Sequence, residues 1–575
     1  MLSSIKSGVN YVNALARLPR HIWWGGGILI FVTLAAYWPA FSAGFIWDDD
    51  AYVTNNPLLT APDGWGRIWF STHTQSQYFP LVYSTLRLEY ACWGLNPVGY
   101  HVVNVLVHLG NVFLIWLLLS RLAIPGAWLA AAIFAVHPVQ VETVAWVTEL
   151  KNTESTFFYL LTLQAWLRFC EGRSGWNYAL AMGLTLLALL AKTTACTLPA
   201  AMLLIVWLRN EPIQWRRVWQ VSPFLLLGLG MGVLSIWWEK HLSNYLPKYH
   251  LLGGPMDRLL IATRTLWFYA GKLLWPTNLT FSYPHWEIDS NDRWQYVWLA
   301  GCFLVAAGFW RWRQELGRKP VAGVVFFVAA LSPMLGFIPL YTFLFSYVAD
   351  HYQYFAALGL MALFAAGAVW LAARWTWLHD RRQAAVAILL AVMVLLTRHQ
   401  CQAYQNLETL WRDTLKKNPN SWLAHTNLGR ILASRNEFMD AREHYLAALA
   451  VYPAGEDTHF NYGNLLVRVG HFEEAVEQYQ FILQHGDPSP DLFNNLATAY
   501  FKLNRLDAAV QAMRLAVQGA PGEFIYHFNL GNFLVAQKQL PEGIAEIQQA
   551  LKLAPDSEVV KKRLQALTQP AQSFQ

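Results

Sequence analysis

Apolar runs close to the hydrocarbon thickness of a bilayer, about 20 residues each, constrain this chain more than any other feature. They fall at roughly 22–41, 101–121, 126–137 with its neighbours, 153–169, 177–193, 195–208, 221–238, 294–310, 321–343, 354–373 and 383–397. Read as helices, they predict an all-α polytopic membrane domain of about eleven spans. The composition agrees, with 55% hydrophobic and only 14% charged residues, where soluble domains run near 45–50% and about 25%. A wholly soluble or disordered chain is excluded. The first run is too long for a removable signal peptide and no small-x-small site follows it, so it reads as a permanent helix. Five scattered cysteines, with no C-x-x-C spacing, argue against a zinc site, a redox motif or a disulfide scaffold. A net charge of +6 without a Lys/Arg run or an RNA-binding signature gives no sign of a nucleic-acid partner.

Lys and Arg in short loops orient the spans. With Lys6, Arg17 and Arg20 cytoplasmic, alternate loops carry Arg121, then Arg168 and Arg173, then Arg209, Arg216 and Arg217, then Arg311, Arg313, Arg318 and Lys319, then Arg374, Arg381 and Arg382. The opposite loops, 42–99 and 240–293, are long and sparsely basic and face outward, as does the C-terminal region. Segment 257–275 is nearly apolar enough to span, but its three cations and the loop parity favour an amphipathic interfacial or re-entrant helix.

Beyond residue 418 the pattern changes. The pairs Leu428-Gly429, Tyr462-Gly463, Leu496-Ala497 and Leu530-Gly531 recur every 34 residues, followed by Ala441, Ala475, Ala509 and Gly543 and closed by Pro453, Pro488, Pro521 and Pro555. This period resembles the tetratricopeptide repeat, an α-solenoid of helix pairs. The predicted domains are a membrane unit over 1–400, a connecting helix over 401–420 and four repeats over 421–568.

Four polar groups stand out. Asp48, Asp49 and Asp50 follow the first run; adjacent carboxylates repel and need a cation, a proton or donors to be held together. They suit deprotonation of a hydroxyl or capture of a divalent cation, while a hydrated turn cap explains them equally. The run from His137 through Glu142, Trp146, Glu149, Lys151 and Asn152 places residues 142, 146 and 149 on one face if helical, either an acid-and-indole surface for a sugar or an ordinary interfacial helix. His101, Asn104 and His108 share a face of the second run, where interhelical packing is favoured over function and no metal is assigned. Lys192, Arg264 and Lys272, with His351 beside Asp350, are cations placed to meet a lipid phosphate; snorkelling explains Arg264 and Lys272 nearly as well.

Together the strings FIWDDDAYVTNNPLL, HPVQVETVAWVTELKN, LLAKTTACTLP, KLLWPTNLTFSYPHW and VADHYQYF, with the repeat array, resemble bacterial relatives of the transmembrane and tetratricopeptide repeat containing O-mannosyltransferases, of the GT-C glycosyltransferase superfamily. The resemblance implies an inverting enzyme of the cytoplasmic membrane that moves mannose or a similar hexose from a polyprenyl phosphate to a protein hydroxyl on the non-cytoplasmic face. It maps the family's acid pair onto Asp48 and Asp49, its His-Pro-to-Glu run onto His137 and Glu142, its helix-end lysine onto Lys192 and its acidic-Arg-x-x-Tyr stretch onto Asp350, His351 and Tyr354. His351 departs from the expected arginine, exchanging a permanent cation for a group that titrates near neutrality. The expected partners are the lipid-linked sugar, a peptide acceptor at the repeats and membrane lipid; no cofactor is assigned, and a divalent cation stays open. The rivals are a non-catalytic membrane-anchored scaffold for envelope or secretion assembly and a transporter of a lipid-linked saccharide.

Overall fold

The computed structural model describes residues 20–71, 77–172, 174–242 and 253–568. Lys6, Arg17 and Arg173, invoked above for orientation, lie outside them. Every regular element among the described residues is helical, and the chain divides into two compact units, 1–418 and 419–575.

The first unit contains α1 (Arg20–Tyr37), α2 (Gly64–Phe70), α3 (Pro80–Trp93), α4 (Pro97–Arg121), α5 (Ala127–Val136), α6 (Val141–Ala145), α7 (Leu150–Cys170), α8 (Gly175–Ala191), α9 (Leu198–Leu208), α10 (Trp215–Leu242), α11 (Pro255–Leu274), α12 (Val297–Arg311), α13 (Arg318–Leu331), α14 (Ala357–Arg374), α15 (Thr376–Gln402) and α16 (Leu407–Lys417). Its centre is α5, AWLAAAIFAV, apolar all round and buried from Leu129 to Val136. A helix without a polar face has to be enclosed, and α1, α4, α14 and α15 pack around it. The polar side chains of α4 serve this packing. His108 bonds the Tyr354 hydroxyl at 2.7 Å and the Ala135 carbonyl at 3.1 Å, Asn104 donates to the Trp146 carbonyl at 3.0 Å, and Asn111 donates to the Thr153 carbonyl at 2.9 Å.

Five helices among the described residues are long and apolar enough to cross a membrane, or six if the pair Ala127–Val136 and Pro138–Ala145, bent by 53°, counts as one. Length and apolarity alone thus give fewer spans than the eleven runs. The run 321–343 is not one helix: α13 stops at Leu331, and Pro333 in the following turn denies the helix an N–H donor. The runs 177–193 and 195–208 form shorter helices that meet at a 3-10 turn over Thr193–Thr197. Segment 257–275 forms the continuous helix α11, which is not among those apolar enough to span alone. Its apolar face, including Ile261, Ala262 and Tyr269, is buried.

The second unit is four antiparallel helix pairs, Trp422–Ser434 with Phe438–Val451, Glu456–Val469 with Phe472–His485, Pro490–Lys502 with Leu506–Gly519 and Phe524–Ala536 with Leu540–Leu553, then Glu558–Thr568. Close approach within a pair explains the repeated small residues. A Cβ on Gly463 would sit 2.5 Å from the Tyr479 ring, and one on Gly531 would sit 2.5 Å from Ile547.

Candidate functional site

The polar groups of the first unit converge where the turn after α1 meets the segment between α5 and α7. Trp47 leads into that turn with φ of 45°, a left-handed conformation that costs a bulky residue roughly 1–3 kcal/mol and collects at functional sites. Its indole lies 5.1 Å from Trp411 and 6.2 Å from Phe281, and Phe281 lies 5.2 Å from Trp146, giving an aromatic wall.

The three aspartates part company on this turn. Asp49 is fully buried and committed to protein: one oxygen accepts the Ile46 N–H at 2.8 Å, the other accepts the Thr148 N–H at 2.8 Å and the Thr148 hydroxyl. Burial pushes it up to about 7 although these donors pull the other way. Asp50 is exposed, and its carboxylate accepts the N–H of its neighbour Ala51. Asp48, by contrast, stays partly open. Burial lifts it to about 6, Lys151 and His351 opposing and Glu149 and Asp50 assisting. The acids therefore do not converge on one cation, and among the described residues no three His, Cys, Asp or Glu side chains are grouped to hold a metal.

The segment from His137 to Glu149 is not one helix, so residues 142, 146 and 149 do not share a helical face as expected. A 3-10 turn over Pro138–Gln140 leads into α6, the backbone extends at Trp146 with φ of −96° and ψ of 119°, and a second turn spans Val147–Glu149. The cause is long-range: the Thr148 N–H is captured by Asp49 and the Trp146 carbonyl by Asn104. The break still brings both acids into the cluster. Glu149, wholly buried, pairs with Lys151 at 2.9 Å and Lys192 at 3.7 Å. Burial pushes its pKa up, but the two ammonium groups prevail and hold it at about 2. Lys192, at the end of α8, is lowered to about 8 by burial against the pull of Glu149. With Asp48 also acting on Lys151, the two ammonium groups are balanced when Asp48 is ionised and carry one positive charge over once it takes a proton, the condition for receiving an anion.

Glu142 forms the second arm. It accepts the Asp350 N–H at 2.9 Å and pairs with His351 Nδ1 at 2.8 Å, which orients the imidazole against the edge of Trp146 at 5.8 Å. Asn152 donates to the His351 carbonyl at 2.9 Å and to Glu149, joining the two arms. Asp350 is buried with the Tyr283 hydroxyl 3.1 Å from each oxygen; burial and Glu142 hold it well above the usual carboxylate range.

Asp48, Glu142, Glu149, Lys192 and His351 thus share one site, with Asp49 and Asp350 bracing it. The structure places four other candidates elsewhere. His137 is a buried cap, accepting from Val139 N–H and bonding the Leu273 carbonyl at 3.1 Å. Tyr354 is buried against α4 by His108 and Asn111. Lys272 donates to the Thr277 and Asn278 carbonyls at 2.6 and 3.3 Å and lies over the Phe268 and Tyr283 rings. Arg264 stacks on Trp286 at 4.4 Å and contacts none of the cluster. Trp146, the indole foreseen in the run from His137, and Lys151, named in that run without a role of its own, also belong to the cluster. Lys151, nine-tenths buried over the Tyr52 and Trp146 rings at 5.4 and 5.5 Å, sits in the same run as Glu149. Trp146 is buried with an indole N–H that meets no acceptor among the described residues, and such a donor awaits a partner.

Residues 408–456 and 461–524 match the family described as Tetratricopeptide repeat. The chain is 30% identical to Protein O-mannosyl-transferase Tmtc1 of Drosophila melanogaster over 48% of this chain and 35% of that protein. It is 24% identical to Protein O-mannosyl-transferase TMTC3 of Mus musculus over 92% of this chain and 60% of that protein. It is 23% identical to Protein O-mannosyl-transferase F38B6.6 of Caenorhabditis elegans over 75% and 63%. The alignments span about a third to under two thirds of these relatives' lengths. Among solved structures, YrrB, described as a TPR protein with an unusual peptide-binding site, is 21% identical with a TM-score of 0.26, covering 27% of this chain and 81% of YrrB. By sequence, then, the chain is similar to protein O-mannosyl-transferases along most of its length and carries tetratricopeptide repeats at its C-terminal end.

Proposed function

We propose that the chain is a membrane glycosyltransferase that moves mannose or a similar hexose from a polyprenyl-phosphate donor to a protein hydroxyl on the non-cytoplasmic face. The observation that carries this reading is Asp48: a partly open carboxylate, lifted to about 6 by burial, beside two lysines paired to one buried carboxylate and an aromatic wall. Similarity to proteins named O-mannosyl-transferases supports the reaction class.

In this mechanism Asp48 takes the acceptor hydroxyl proton as that oxygen bonds the anomeric carbon. The carbon–oxygen bond to the lipid phosphate breaks on the opposite face, its electron pair leaving with the phosphate, and configuration inverts. Lys192 and Lys151 stabilise the departing phosphate, a developing charge in a buried site where fixed donors act strongly. Glu149 keeps both ammonium groups in place, and Glu142 sets His351 beside them. Trp146 offers its unmet N–H and its ring to the sugar. Asp49 is a positioning residue that holds the Asp48 turn to the Thr148 turn. The repeats hold the acceptor peptide along their inner helices.

The test is to incubate purified protein and an acceptor peptide with a panel of polyprenyl-phosphate sugars and to follow release of polyprenyl phosphate. Sugar-dependent release by the wild-type chain is expected. No release with any donor, with the repeats still able to capture partners, would favour the scaffold.

A further inference from the structure

The amphipathic helix α11 carries a second cationic locus that the proposed chemistry leaves unused. Between α11, α12 and α13 runs a trough of about 940 Å³ whose walls are mainly apolar, among them Leu266, Cys302, Val305, Ala306, Val325 and Leu360. At its edge lies a pocket of about 360 Å³ lined by Arg264, Lys272 and the aromatic residues Trp267, Phe268, Trp286 and Trp298. Trp267 lines both, so the two adjoin at its ring. Its indole lies flat on α12, donating to the Trp298 carbonyl at 3.0 Å, where only a glycine at 301 leaves room: a Cβ there would come within 2.9 Å of the ring.

The cations around this groove are not equivalent. Arg313 and Arg318 are spent on the carbonyls of Trp310 and Trp207, each at 2.7 Å, and Lys272 on Thr277 and Asn278. Arg264 lies over the Trp286 ring, yet among the described residues its guanidinium has no hydrogen-bond acceptor and no carboxylate partner. Five N–H donors in a fixed fork, half-buried and unmet, suit a phosphate. Among the described residues no acid lines the pocket, and eight residues of helix, about 12 Å of rise, part Arg264 from Lys272. Tryptophans of this density mark the headgroup level of a bilayer. The apolar residues Phe303, Leu304 and Val325 on α12 and α13 are exposed to a medium that, beside membrane helices, is lipid.

We propose that this groove binds one anionic glycerophospholipid of the surrounding bilayer, its phosphate on Arg264 and an acyl chain in the trough. The site stands apart from the Asp48 cluster and does not depend on the transferase reading. The bilayer supplies such lipids in excess, so modest affinity suffices for occupancy, and a zwitterionic head would bring its own cation against Arg264.

The test is native mass spectrometry of the full chain in detergent, titrated with phosphatidylglycerol or with phosphatidylcholine of the same chains. One phosphatidylglycerol should be retained in preference. Arg264→Gln should weaken retention about tenfold or more, the worth of one charge-assisted contact, and Ala306→Trp, which fills the trough from its exposed wall, should do the same with Arg264 intact. Equal retention of the two lipids, or wild-type retention by either variant, overturns the proposal. Displacement of phosphatidylglycerol by polyprenyl phosphate at equal concentration also overturns it and gives the groove to the sugar donor.

Discussion

Replacing Asp49 with Asn tests whether the buried acid is a clamp or a reactant. Its two oxygens meet three donors, the Ile46 N–H and the Thr148 N–H, each at 2.8 Å, and the Thr148 hydroxyl. An asparagine can serve only one side: whichever way the amide turns, its NH₂ faces a buried backbone N–H. Losing one of these bonds strands a buried backbone donor, which costs about 1–3 kcal/mol and more where the lost acceptor was charged, so Asp49→Asn should destabilise the fold by about 2–3 kcal/mol. Thr148→Val removes only the hydroxyl and should cost about 1 kcal/mol. Because both changes act on one carboxylate, the double variant should fall short of their sum by more than the ~0.5 kcal/mol error expected of independent sites. Unfolding by SDS titration in mild detergent, followed by circular dichroism, measures all three. A stability within about 0.5 kcal/mol of wild type for Asp49→Asn, with turnover abolished, would refute the clamp and make Asp49 a chemical participant.

The remaining predictions concern the cations, the ion pair and the repeats. Turnover should follow a bell against pH, falling below about 6 as Asp48 takes a proton and above about 8 as Lys192 loses one; Lys192→Arg should carry the alkaline limb out of range, and a limb left in place would remove Lys192 from the assignment. Glu149→Gln strands two buried ammonium groups and should cost about 3–5 kcal/mol. Since Glu149 is held at about 2, below its ordinary 4.5, its wild-type contribution is complete above pH 4.5 and fades as pH falls toward 2, a slope that denaturation curves of the variant should lack. Gly463→Val places a side chain against the Tyr479 ring 2.5 Å away and should destabilise the repeat unit by about 1–3 kcal/mol, seen as earlier proteolysis within 419–568; unchanged protease resistance would contradict the close-approach argument.

What the sequence made legible were features written in short range. The 34-residue register needs only local helix pairs, and small residues at 429, 463, 497 and 531 already imply their close approach. Asp48, Glu142, Glu149, Lys192 and His351 were visible as polar interruptions of apolar runs. Their sorting was not, because it depends on partners far along the chain. Asp49 is separated from Asp48 in role by Thr148, 99 residues away. The helix break at Trp146 follows from that bond and from Asn104, neither of which leaves a mark in helical periodicity. Tyr354 and His137 belong to the packing because α4 and the Leu273 carbonyl happen to meet them. Lys151 was hidden by proximity: in TELKN it reads as a neighbour of Glu149, and only burial shows it to be half of an ion pair. Span counting suffered similarly, since an apolar run records composition while Pro333 and the turn at Thr193–Thr197 decide where helices stop.

The central claim is that Asp48 performs sugar transfer. The most direct measurement is the mass of an acceptor peptide after incubation with protein and lipid-linked hexose, comparing wild type with Asp48→Asn matched for unfolding midpoint. The account predicts one added hexose per modified hydroxyl with the wild-type chain and a loss of at least a hundredfold in the variant, the scale of a general base. Equal hexose addition by the stable Asp48→Asn chain would contradict it.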